Sequence, residues 1–164
     1  MWQETYDYYI GNRFLNLHLP KDRAVLNEMS PIQFSLLEDL KILVVDNKED
    51  DRVLVQMIFE YYRVQVKTAP SADLALEIMK QWQPNILISD IWMNQKDGYW
   101  LIRSIREQEV LPEKSIAAIA VTSYIENPQE ALNAGYQSVI LKPFEPDELL
   151  VEVALLAQQY YSIS

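Results

Sequence analysis

The chain has 164 residues, 49% of them hydrophobic, and a formal net charge of −10. That is enough for one domain with a real core. The acidic balance argues against nucleic-acid backbones and anionic membranes as direct partners. No cysteine occurs, which excludes disulfides and thiolate metal sites and fits a cytoplasmic protein. Residues 1–20 carry Glu4 and Asp7 and lack a charged-then-apolar leader pattern. No apolar run approaches the roughly 18 residues of a membrane span.

Residues 1–40 read as an N-terminal extension. They hold Trp2, Tyr6, Tyr8, Tyr9, Phe14 and Phe34, too aromatic for an ordinary disordered tail. Ser30-Pro31-Ile32-Gln33 has the form of a helix start, with Leu36, Leu37 and Leu40 as its apolar side. Pro20 to Met29 is a weaker helix candidate. The extension is thus expected to be partly helical, either packed on the domain or used for partner docking or dimerisation.

From Lys41 a regular alternation begins. Ile42 to Val45 reads as a buried strand. Asp50 to Tyr62 reads as a helix with Leu54, Met57, Ile58 and Tyr61 on one face. Val64 to Thr68 is a second strand, and Ser71 to Gln81 a helix with Leu74, Ala75, Ile78 and Met79 inward. Ile86 to Ser89 is a third strand, apolar throughout, followed by a helix from Tyr99 to Gln108 that uses Leu101, Ile102 and Ile105. Ile116 to Val121 is a fourth strand. Asn127-Pro128 caps a short helix that Gly135 ends. Ser138 to Leu141 is a fifth strand, and Pro146 opens a last helix whose inner face is Leu149, Leu150, Val153, Leu156 and Ala157. Five strands each followed by a helix predict an α/β fold: a parallel sheet with helices on both faces.

The polar residues collect just past the strands. Asp46 and Asn47 follow the first, Asp90 the third, Thr122 the fourth and Lys142 the fifth. In a parallel sheet these ends share one edge, where open α/β folds place their sites. Carboxylate oxygens suit Mg²⁺. A carboxylate can also act as a nucleophile toward a phosphoryl group. Mg²⁺, the Lys142 ammonium and the Thr122 hydroxyl can then neutralise the phosphoryl oxygens. Singly, each residue is better explained as a loop cap (Asp90), a turn residue (Thr122) or a solvated charge (Lys142). Together at matching strand ends they favour a site centred on Asp90.

Residues 41–157 resemble a response-regulator receiver domain of two-component signalling. The motifs are Ile42-Leu43-Val44-Val45-Asp46-Asn47, then Ile88-Ser89-Asp90-Ile91-Trp92-Met93 with Asp97-Gly98, then Val121-Thr122-Ser123, then Leu141-Lys142-Pro143-Phe144. The last of these, continued to Leu149, is similar to receivers of hybrid histidine kinases. The resemblance implies a flavodoxin-like, doubly wound sheet of order 2-1-3-4-5, with the domain over residues 41–160. It implies Asp90 as phospho-acceptor and Asp46, Asn47, Asp90 and the Trp92 backbone carbonyl as the Mg²⁺ set. Thr122 is implied as the hydroxyl that turns to the phosphoryl group, Lys142 as its cationic partner, and Lys142-Pro143 as a cis peptide.

Three positions depart from the family pattern. Asn47 stands where a second carboxylate is usual. A unit charge at about 4 Å is worth about 4 kcal/mol at an effective dielectric of 20, before desolvation, so weak Mg²⁺ binding is expected. Trp92 is unusually large beside the acceptor, and either shields the phosphoryl group or packs on its loop. Val139 stands where many receivers carry a switch Tyr or Phe; Tyr124 and Tyr136 do not match that position.

The leading expectation is a phospho-accepting receiver without an output domain, not an enzyme beyond its own phosphotransfer and dephosphorylation. Its implied partners are a histidine kinase or histidine phosphotransfer protein and an unknown downstream protein, docking on the helix after Asn127, the fifth strand and the last helix. A homodimer is permitted. The alternative is a phosphate-independent, pseudo-receiver interaction module, which Asn47 and Val139 favour. Independent enzymes on this fold fit poorly. The first loop, Asn47-Lys48-Glu49-Asp50-Asp51, is acidic where a flavin phosphate site needs Gly, Ser or Thr. Neither Asp46 nor Asp90 has the second Asp two residues on that a haloacid-dehalogenase-type phosphatase uses.

Overall fold

The computed structural model describes residues 6–10, 13–17, 35, 37–109 and 115–162. Two strands, β1 (Tyr6–Ile10) and β2 (Arg13–Leu17), form an antiparallel hairpin with Tyr6 opposite Leu17 and Ile10 opposite Arg13. Residues 6–10 and 13–17 of the extension are therefore strand, which the sequence reading missed. The helix starts expected at Pro20 and Ser30 lie outside the described residues. Leu37 and Leu40 are fully buried, so the end of the extension is packed into the domain core.

The main sheet holds β3 (Lys41–Val45), β4 (Gln65–Ala69), β5 (Ile86–Ser89), β6 (Ala117–Thr122) and β7 (Ser138–Leu141). Its order is β4-β3-β5-β6-β7, all parallel. Counted from β3, that is the expected 2-1-3-4-5. The hairpin's β1 lies close to the edge strand β7. Five helices connect and cover the sheet: α1 (Glu49–Glu60), α2 (Ala72–Gln81), α3 (Gly98–Gln108), α4 (Pro128–Ala134) and α5 (Pro146–Ser162).

Successive residues of a strand face opposite sides, and the core divides accordingly. Ile42 and Val44 join Val55 and Phe59 of α1 and Leu149, Leu150, Val153 and Leu156 of α5. Leu43 and Val45 join Ala72 and Ala75 of α2, Leu101, Ile102 and Ile105 of α3, and Ala131 of α4. The inner faces expected for α3 and α5 are the buried ones.

Two helix faces need correction. On α1 the buried residues are Val55 and Phe59, whereas Leu54, Met57 and Tyr61 are exposed. This helix is apolar on nearly every side, so periodicity leaves its rotation open, and its anchoring at the end of β3 decides it. On α2 Leu74 is exposed, and Ala72 and Ala75 make the close contact with the sheet.

The helix starts are locally encoded. Ser71 Oγ accepts from Leu74 N, Asp97 Oδ1 from Trp100 N, and Asn127 Oδ1 from Gln129 N, with Pro128 opening α4. Gly135, at φ 127°, ends α4 in a backbone conformation that side chains disfavour.

Candidate functional site

β3, β5 and β7 end on the same edge of the sheet, with β6 between the last two, and deliver Asp46, Asp90 and Lys142 to one pocket. Asp46 and Asp90 are each 5% exposed. The Lys142 ammonium lies 2.6 Å from Asp46 Oδ2 and 3.4 Å from Asp90 Oδ2. Asp46 is further fixed by Lys48 N, which donates to its Oδ1 at 2.8 Å, while Arg52 Nη1 donates to its backbone carbonyl at 2.7 Å. Asp90 Oδ1 accepts from Trp92 N at 3.1 Å. Asp90 Oδ2 has the longer contact with lysine and is the less engaged oxygen.

A further carboxylate joins the pocket that sequence reasoning passed over. Asp51 Oδ2 lies 2.8 Å from Lys142 Nζ. It is in the first turn of α1, on the same face as Val55 and Phe59 one and two turns on. That four-residue spacing to the buried Val55 and Phe59 was the available signal, and it is hidden when Leu54, Met57, Ile58 and Tyr61 are taken as the inner face. Burial pulls the Lys142 ammonium down, but hydrogen bonds to Asp46 and Asp51 outweigh it and leave the lysine at about 12. It is charged at any physiological pH.

Thr122 is fully buried, and its hydroxyl donates to the Tyr124 carbonyl at 3.3 Å. The same carbonyl accepts from Trp92 Nε1 at 2.7 Å. The loops after β5 and β6 are thereby joined, with Trp92 53% exposed. Val139 is partly buried against the second core layer. Tyr136 is buried and donates from its hydroxyl to the Gly98 carbonyl at 2.9 Å. Gly98 is required by close approach: a Cβ there would lie 2.4 Å from the Asp90 carbonyl oxygen and 2.8 Å from Ile91 Cα. The Asp97-Gly98 pair thus caps α3 and lets it pack against the backbone that carries Asp90. The Lys142-Pro143 peptide is cis.

The donors suit a hard divalent cation. Asn47 Oδ1 is buried and has no hydrogen-bond partner, which an amide oxygen tolerates poorly unless it has a ligand to meet. Asp46 and Asp90 supply two carboxylates at the adjoining strand ends. Among the described residues no three His, Cys, Asp or Glu side chains are grouped to hold a metal by themselves. That agrees with Mg²⁺ practice, in which one or two carboxylates are supplemented by neutral oxygens and waters.

A 2-1-3-4-5 parallel sheet whose carboxyl-terminal edge gathers buried aspartates, a hydroxyl and a lysine is the architecture of a signalling receiver. The chain belongs to the response regulator receiver domain family, whose model matches residues 42–154. It is 38% identical over 127 residues to the uncharacterized 14.6 kDa protein in the sodA1 3′ region of Leptolyngbya boryana, covering 76% of this chain and 92% of that one. It is 29% identical to ycf27 of Porphyridium aerugineum, a transcriptional regulator by name, over 66% of this chain and 44% of that protein. The chain therefore spans less than half of that longer relative. The structure of the chemotaxis response regulator CheY4 of Vibrio cholerae superposes with a TM-score of 0.65 at 25% identity, covering 72% of this chain and 98% of that one. No described helix is long and apolar enough to cross a membrane.

Proposed function

We propose that the protein is a phospho-accepting receiver that takes a phosphoryl group onto Asp90 from a phosphohistidine and passes the signal on by docking. The observation that carries this reading is the convergence of Asp46, Asp90 and Lys142 from three strand ends, with Asp90 Oδ2 left lightly engaged beside the ammonium. In the reaction Asp90 Oδ2 attacks phosphorus. The P–O bond forms as the P–N bond to imidazole breaks, and the imidazole leaves with the electron pair. Lys142 moves its hydrogen bonds to the transferred phosphoryl oxygens, and the Thr122 hydroxyl leaves the Tyr124 carbonyl to donate to another of them. Asp46, Asn47, Asp90 and the Trp92 carbonyl are the Mg²⁺ set; when bound, the ion neutralises charge building on the phosphoryl oxygens.

The partner on the donor side is a histidine kinase or a histidine phosphotransfer protein. It meets α1, where Val53, Leu54, Met57 and Tyr61 are exposed and Leu54 reaches the rim of the acid pocket. The downstream partner meets α4, β7 and α5. The test is the intact mass after incubation with Mg²⁺ and a small phosphodonor, with Asp90→Asn alongside. One added phosphoryl group on the wild type alone supports the reading. No addition, even with a phosphotransfer protein as donor, defeats it.

Two observations favour a second reading, a docking module that works without phosphate: the amide at position 47 and the absence of an aromatic at Val139. Its signature is an unmodified chain that still binds its target, with Asp90→Asn binding equally well.

A further inference from the structure

We propose that Asp51 supplies the carboxylate charge that position 47 lacks, so that the acceptor pocket keeps its hold on a divalent cation. This rests on reading the pocket as a cation site. Receivers with a second acidic residue beside the first place two such carboxylates, the acceptor and a lysine together, a formal charge of −2. Here Asn47 removes one of the four charges. Asp46, Asp51 and Asp90 around Lys142 restore the same total.

The placement of Asp51 is built into the helix. Its neighbours Glu49 and Asp50 are exposed, whereas Asp51 turns inward in phase with Val55 and Phe59, which are 4% and 0% exposed. The Asp51 side chain is partly covered, 32% exposed, and its oxygen is held by the pocket lysine instead of facing open solvent. Its position in the first turn is favourable for a negative charge, and its oxygen reaches the lysine at 2.8 Å.

Asp51 is not needed as a direct ligand, since no three acidic side chains enclose a metal among the described residues. A nearby carboxylate attracts a divalent ion without ligating it. With a cation bound, Asp51 would keep Lys142 paired and leave the Asp46 carboxylate for the ion. Asn47 Oδ1, buried and without a partner, would be a neutral oxygen available to it. The acidic role has thus moved from position 47 to the next helical turn.

The experiment is a calorimetric Mg²⁺ titration of the full chain and of Asp51→Asn, Asn47→Asp and the double variant, with thermal melts to confirm folding. Asp51→Ser repeats the test with a residue suited to a helix start. The expected result is at least tenfold weaker Mg²⁺ binding in Asp51→Asn and Asp51→Ser. The double variant should return to the wild-type value or better. Asp51 variants within twofold of wild type, while Asn47→Asp binds more tightly, would overturn the proposal and leave the cation site standing. No Mg²⁺ binding by any variant, Asn47→Asp included, would overturn the cation site and the proposal together.

Discussion

The indole Nε1 of Trp92 donates to the Tyr124 carbonyl at 2.7 Å, the same oxygen that holds the Thr122 hydroxyl at 3.3 Å. One carbonyl therefore ties the residue two past Asp90 to the hydroxyl expected to turn toward the phosphoryl group. The reading to test is that a ring held there shields an aspartyl phosphate on Asp90 from water. Trp92→Gly should shorten the phosphate half-life by about fivefold, the equivalent of one net hydrogen bond of ~1 kcal/mol. Trp92→Phe keeps a ring but loses the donor, and separates shielding from latching. Unchanged half-lives in both would count against either role.

Lys142 is 13% exposed and faces three carboxylates. Removing one partner of a buried ion pair strands the others, at about 3 kcal/mol. Lys142→Met should therefore lose stability on that scale, whereas Lys142→Arg, which keeps the charge, should lose less. Urea unfolding of the two variants measures this. Equal losses in both would mean that side-chain fit, not charge, sets the lysine's contribution.

The exposed side of α1 leads to a kinetic prediction. Met57 is 65% exposed and Tyr61 82%, a large apolar area for a free helix surface. Met57→Glu and Tyr61→Glu should slow phosphotransfer from a histidine-bearing protein about tenfold, an interface loss of about 1.4 kcal/mol. Acceptance from a small phosphodonor should not change, because neither side chain lines the acid pocket. Equal slowing with both donors would point to a damaged site instead of a lost interface.

These comparisons also show what the sequence could carry. The strands were legible because each is a short apolar run between turn residues, and the site because strand ends of a parallel sheet share an edge. Asp46, Asp90 and Lys142 do meet as that argument requires. Asp51 was not legible, because its direction depends on the rotation of α1. That rotation is set by contacts of Asp51 and Arg52 with the ends of β3 and β7, not by a clean apolar stripe. The hairpin was legible: Tyr6–Ile10 and Arg13–Leu17, rich in aromatic and branched residues, are separated by Gly11-Asn12 alone, a two-residue hairpin spacing.

Glu152 offers a test of the fold's own chemistry. It lies on the buried side of α5 at 2% exposure, and its Oε1 has no hydrogen-bond partner. Burial pushes its carboxyl up, the Ser138 hydroxyl opposes, and the Glu148 carboxylate adds to the rise. The folded state thus holds the proton more tightly than the unfolded chain. The resulting stability is fully present below the unfolded value of 4.5 and is lost as pH rises through the raised folded value. At neutral pH the buried carboxylate is a net cost. Glu152→Gln keeps the shape and abolishes the titration, so it should stabilise the protein by ~1 kcal/mol at pH 7, about 2–4 °C in melting temperature. The gain should fade toward pH 4, where wild type and variant are both neutral at this position. Thermal melts across that range decide the matter: a gain independent of pH would mean that the carboxylate is not what burial penalises.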